Sequence, residues 1–183
     1  MTLVVLATAI ALLAATPVVV EPLRVVEGSG YIGAIFPASR GSEAGIPRWP
    51  GETIEGYWTP TSEEIAGIEA ALGPAMNAAA NDPTSVLGPR RNAQQNRDWA
   101  QRQIGSIVQN LDRYGRQYVG IRINGSKRIF ISCFHLTRNG PREEPAYWRT
   151  GFVVVNDGGF WYWRIQYDVE KKRFLEFDSN GYA

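Results

Sequence analysis

Cys133 and His135 are the one cysteine and the one histidine among 183 residues, and they stand two apart. A nucleophilic thiol needs a base within hydrogen-bond reach. On an extended strand, side chains two apart share a side at a spacing of roughly 7 Å, so the two do not touch without a bulge. The pair therefore reads as a buried thiol and a histidine at a sheet end rather than as a catalytic dyad. A single cysteine forms no intramolecular disulfide, and one Cys with one His falls short of the four ligands of a closed structural zinc site. No Gly-x-Ser-x-Gly elbow, phosphate-binding loop or His-Glu-x-x-His helix is present. No metal or cofactor is implied.

Carboxylate chemistry asks only that two acids converge in space. Glu143, Glu144, Asp157 and Asp168 are available. Each sits in a predicted loop or turn, where acids are common, so a small cell-envelope hydrolase stands as the alternative reading.

The most unusual run is Phe160-Trp161-Tyr162-Trp163, which follows Asp157-Gly158-Gly159 and leads into Arg164-Ile165-Gln166-Tyr167. Strand alternation sends Trp161, Trp163, Ile165 and Tyr167 to one face, a core set, and Phe160, Tyr162, Arg164 and Gln166 to the other. Rings beside a guanidinium and an amide can stack, hydrogen-bond and pair with carboxylates, which is the make-up of a recognition surface. These four residues, with Arg116 from a basic stretch upstream, are the candidate binding residues. The competing reading is purely structural: helices cover one face and an N-terminal arm, docked through Trp49 and Trp58, covers the other.

The elements that must position these residues follow from periodicity. Thr59 as cap, Pro60 at the first helical position, and Glu63 and Glu64 at the positive end of the dipole start a helix. Its core face is Ile65, Ile68, Leu72 and Met76, and Gly73-Pro74 is expected to kink or divide it. After a polar loop over 81–97, Trp99, Ile104, Ile107, Val108 and Leu111 restore helical spacing, with Tyr114-Gly115 as the stop. From Gln117 the period becomes two. Val119, Ile121 and Ile123 lead to Asn124-Gly125, a tight-hairpin dipeptide, and the return strand runs from Arg128 to Leu136. The apolar run 151–155, then 160–168 and 174–177, complete an antiparallel meander of about five strands. With two helices this is an α+β domain over residues 58–183.

Residues 21–57 hold Gly and Pro so densely that an irregular arm is expected. The chain before it reads TLVVLATAIALLAAT without a charge, followed by Pro17, so residues 1–20 read as a signal peptide or, if uncleaved, an N-terminal anchor. The expectation is a periplasmic or secreted protein that touches membrane only if that segment is retained.

The formal net charge of +1 hides a division. Residues 1–85 carry three basic against nine acidic side chains, residues 86–130 nine against two, and residues 131–183 seven of each. Mutual compensation within the fold is the favoured reading, ahead of a basic surface for an anionic partner; an export signal further disfavours nucleic acid.

Arg116-Gln117-Tyr118-Val119-Gly120, the hairpin after it, Asp157-Gly158-Gly159 with its aromatic strand, Tyr167-Asp168, Phe174 and Asn180-Gly181 resemble a group of small exported bacterial proteins of unassigned function. That resemblance covers the C-terminal third best, together with the Trp58-Thr59-Pro60 helix start, and it implies no activity, ligand or catalytic residue. The expectation is a non-catalytic domain that binds a protein or a cell-envelope component through the aromatic and arginine sheet face.

Overall fold

The computed structural model describes residues 20–47, 51–87, 94–136 and 147–181. The apolar leader, Trp49, the arginines at 90 and 91, and Glu143 and Glu144 lie outside them. The strands are β1 (Arg24–Gly28), β2 (Tyr31–Phe36), β3 (Ile54–Trp58), β4 (Tyr114–Ile123), β5 (Ser126–His135), β6 (Tyr162–Asp168) and β7 (Arg173–Ser179). The helices are α1 (Ser62–Asn81), α2 (Gln94–Val108) and the short α3 (Tyr147–Thr150). All seven strands form one sheet of order β1-β2-β4-β5-β6-β7, with β3 also paired to β4. The α+β expectation holds.

The β4–β5 hairpin is the element the residues dictate most directly. Ile123 pairs with Ser126 across Asn124 and Gly125, whose φ angles of 49° and 76° are the positive pair that a two-residue hairpin turn requires. Helix α1 starts two residues later than expected. Thr61 is its cap, accepting from the Glu64 amide at 3.2 Å while the Glu64 carboxylate accepts from the Thr61 amide at 2.8 Å. The helix also runs unbroken past Pro74. Leu72, Met76 and Ala79 are all fully buried on either side of the proline, so packing offsets the one lost backbone bond.

Three further expectations are corrected. The arm over 21–57 is not irregular: it supplies β1, β2 and β3, and β2 runs parallel to β4, which makes the sheet mixed rather than a pure meander. Its glycines mark close approach instead of disorder. A Cβ on Gly33 would stand 2.6 Å from the Tyr118 ring and from the Arg116 carbonyl oxygen. Tyr114-Gly115 does not stop α2, which ends at Val108; the two residues already open β4. Residues 151–155 form no strand but an extended strap laid over the sheet.

The sheet has two covered faces. Helices α1 and α2 bury Tyr114, Tyr118, Ile129, Ile131, Trp163 and Ile165 on one. On the other, Val119, Ile121, Phe130 and Phe134 pack against Phe36, Ala44, Trp148 and Phe152. Two of the nine basic residues of 86–130 meet acids of the first part in this architecture. Glu69 from the acidic first part pairs with Arg116 at 3.2 Å, and Glu52 pairs with Arg128 at 2.9 Å. Among the described residues no helix is long and apolar enough to cross a membrane.

Candidate functional site

The candidate binding residues divide between the two faces. Tyr162, Arg164 and Gln166 lie on the strap side of β6, opposite Phe134, Ser132 and Phe130 of β5. Phe160 does not join them. It sits in a 3-10 turn, Gly159–Trp161, packs with the helix-side core, and its carbonyl accepts from the Tyr114 hydroxyl at 2.8 Å. The turn ends the alternation one residue before β6, so counting back from Tyr162 by twos assigns Phe160 to the wrong side. Arg116 is also excluded from a surface role, being 1% exposed under α1. Its Nη atoms donate to the Tyr114 and Leu111 carbonyls, both at 2.9 Å, and its Nε faces Glu69.

Cys133 and His135 stand as expected. The thiol is buried on the helix side, and burial pushes its pKa far above the ordinary thiol range, which favours the protonated form. His135 lies at the sheet end with its ring 5.3 Å from that of Tyr114 and 4.6 Å from that of Trp161. Of the acids, Asp168 accepts from the Lys171 amide at 2.9 Å and pairs with its ammonium, while Asp157 is exposed and contributes its carbonyl to Asn180. Asp168 thus caps the β6–β7 turn. Burial works against its charge, but these contacts prevail and hold its carboxyl below the ordinary value. Among the described residues no group of three or more metal-ligating side chains comes together.

What the strap side does build is a cavity of about 250 Å³. Phe130, Ser132 and Phe134 of β5 with Tyr162 and Arg164 of β6 form its floor, Phe152 to Asn156 one wall, and Ala44, Gly45 and Pro47 the other. Two side-chain amides hold the strap in place. The Gln117 amide nitrogen donates to the carbonyls of Trp148 (2.8 Å) and Gly151 (2.7 Å), and its oxygen accepts from the Val153 amide at 2.9 Å. Asn180 donates to the carbonyls of Val155 (2.6 Å) and Asp157 (2.9 Å). Strap backbone groups that would go without a sheet partner are satisfied in this way. Gln117 was overlooked as a site residue because it looked like an ordinary strand start. The signal was there: it shares the alternation of Val119, Ile121 and Ile123, and an amide at an apolar-phase position is informative.

Arg164 is the polar centre of the cavity. One Nη pairs with the Asp178 carboxylate and the other approaches the Asn180 amide oxygen at 3.4 Å, while Nε is enclosed and makes no hydrogen bond. The Arg164 side chain keeps 28% of its surface open, against 2% for Arg116. Neighbouring Gln166 is fully buried. Its oxygen accepts from Arg128 at 3.0 Å, and its amide nitrogen makes no hydrogen bond.

Neither a family model, nor a curated protein, nor a solved structure matches the chain.

Proposed function

We propose that this protein is an exported, non-catalytic binding protein that holds a cell-envelope component in the cavity between the β5–β6 floor and the 152–156 strap. One observation carries the reading: Arg164, paired with Asp178 but with 28% of its side chain still open, borders a ready-formed concavity beside Tyr162, Ser132 and Asn180. Pockets of this make-up, apolar walls with a few convergent polar groups, are the ordinary form of a ligand site. At about 250 Å³ the cavity is below the range of roughly 300–1,000 Å³ usual for whole small ligands, which favours one unit of a longer molecule. The apolar leader supports export, and the pairing of Arg116 and Arg128 with Glu69 and Glu52 supports a partner other than nucleic acid. Neither Asp157 nor Asp168 lines the cavity, so the hydrolase alternative gains no support from them.

Co-sedimentation with washed, insoluble envelope material tests this, comparing the wild type with a Tyr162→Ala/Arg164→Ala variant that retains its circular dichroism. Retention of the wild type and release of the variant is the expected result. Equal retention of both would remove this face from consideration.

A further inference from the structure

The β4–β5 and β6–β7 turns lie at one end of the sheet. Strand β4 closes onto β5 through Asn124-Gly125 and β6 onto β7 through residues 169–172, and the Val169 amide donates to the Lys127 carbonyl at 3.1 Å, which ties the two turns together. Five cations gather there: Arg122 and Lys127 on the first hairpin, and Lys171, Lys172 and Arg173 on the second. All are exposed except Lys127, which is half-buried. The acids of this end are largely occupied. Glu52 pairs with Arg128, Asp168 pairs with Lys171, and Glu55 accepts from the Gly125 amide at 3.0 Å, leaving Glu170 in the second turn to offset one charge. Among the described residues Arg122, Lys127, Lys172 and Arg173 form no ion pair.

Arg122 and Lys127 stand directly opposite in the β4–β5 register, so their side chains share a face with Cβ atoms about 5 Å apart. Like charges in that position destabilise a hairpin. The Lys127 ammonium lies 4.3 Å from the centre of the Trp58 ring, which draws it across β4 on the face that Arg122 shares. None of the five cations lines the cavity under the strap. Protruding turns suit a flat, extended layer of negative charge rather than an enclosed ligand. The chain also enters β1 from this end, because β1 runs antiparallel to β2, and β2 parallel to β4, which finishes at the Asn124-Gly125 turn. An apolar leader retained ahead of β1 would hold the cations toward the bilayer in which it sat.

We propose that the turn end of the sheet is a membrane-facing surface that docks on anionic phospholipid headgroups, with phosphates on the Arg122–Lys127 pair and along the 171–173 turn. This surface is separate from the cavity, and either reading can fail alone. An acidic protein is the competing partner.

Flotation of the full chain with vesicles tests the proposal, comparing phosphatidylcholine alone with phosphatidylcholine containing phosphatidylglycerol, at low and high salt. Binding to the neutral vesicles measures what the leader contributes by itself. Stronger binding to the anionic vesicles is expected, weakened by salt. It should fall about fivefold for each cation removed in Arg122→Gln/Lys127→Gln and in Lys172→Gln/Arg173→Gln. Arg102→Gln/Arg113→Gln takes the same net charge from α2 and from the opposite end of β4, and should leave binding nearly unchanged. An equal loss in that control would reduce the effect to net charge and overturn the surface, as would equal binding to neutral and anionic vesicles. Tighter binding to soluble polyglutamate than to the anionic vesicles, lost in the same two patch variants, would replace the bilayer with an acidic protein.

Discussion

The two faces of the sheet handle buried charge differently. Under the helices, Glu69, Arg116 and Tyr118 form a linked set. Arg116 spends its Nη donors on backbone carbonyls, and its Nε stands 3.2 Å from Glu69 as an ion pair without completing a hydrogen bond, while the Glu69 carboxylate accepts from the Tyr118 hydroxyl at 2.8 Å. Burial pushes the Glu69 carboxyl above its ordinary range, against the pull of Arg116 and the Tyr118 hydrogen bond, and pushes the Tyr118 phenol well up. Enclosed polar atoms without a hydrogen bond occur on both sides, at Arg116 Nε and Trp163 Nε1 under the helices and at Glu52, Arg128, Gln166 and Arg164 on the other face, where a cavity adjoins Arg164. Unsatisfied buried polar groups cost stability, and the strap side keeps more of them than the helix side. The linked set locks α1 onto β4. The other face borders the cavity through Arg164.

The contrast breaks most readily at Glu69. Glu69→Ala leaves the Arg116 charge enclosed and uncompensated, and is expected to cost about 3–5 kcal/mol in urea unfolding. Replacing both partners, Glu69→Leu with Arg116→Met, is expected to recover most of that loss. On the other face Arg164→Met should cost only about 1 kcal/mol, because the pair with Asp178 is partly open to solvent. Equal losses at the two arginines would erase the distinction.

Between these lies Gln117. Gln117→Leu keeps the volume but strips the strap of three hydrogen bonds and strands the carbonyls of Trp148 and Gly151, an expected cost of about 2–3 kcal/mol. Hydrogen exchange locates the damage. Val153 should lose its protection while the β4–β5 hairpin amides keep theirs; protection lost evenly across the sheet would mean that the amide supports the whole fold rather than the strap.

What was legible in the residues was local. The Asn124-Gly125 turn, the helical faces of α1 and α2 and the inward set Trp163, Ile165 and Tyr167 all follow from spacing within a dozen residues. The parallel pairing of β2 with β4 joins segments about eighty residues apart, and no local period announces it. Glycines at 28 and 33 read as breakers because their reason for being small, the rings of Tyr31 and Tyr118, lies in the paired state. Of the five candidate residues, Tyr162, Arg164 and Gln166 share a face as alternation required, whereas Phe160 leaves it through a 3-10 turn and Arg116 falls on the opposite side. Asp178 and Asn180 were missed as partners because the bulge at Glu176, with φ of 56°, resets the phase of β7.

The smallest effect expected is also the one that tests the helix side at its rim. His135 is held below its ordinary value of 6.5, first by burial and then by the like charge of Arg113. The unfolded chain therefore takes up the proton before the folded one does, and stability drains away as pH falls through and below that ordinary value. Replacing the imidazole by the ring of His135→Phe keeps the ring contacts with Tyr114 and Trp161 and removes the titration. Melting temperatures from about pH 7.5 down to about pH 5 should fall less steeply in the variant than in the wild type, the carboxylates contributing equally to both. Parallel curves would mean that the sheet end opens enough to hydrate the imidazolium, and that the closed character of the helix side stops short of β5's last residue.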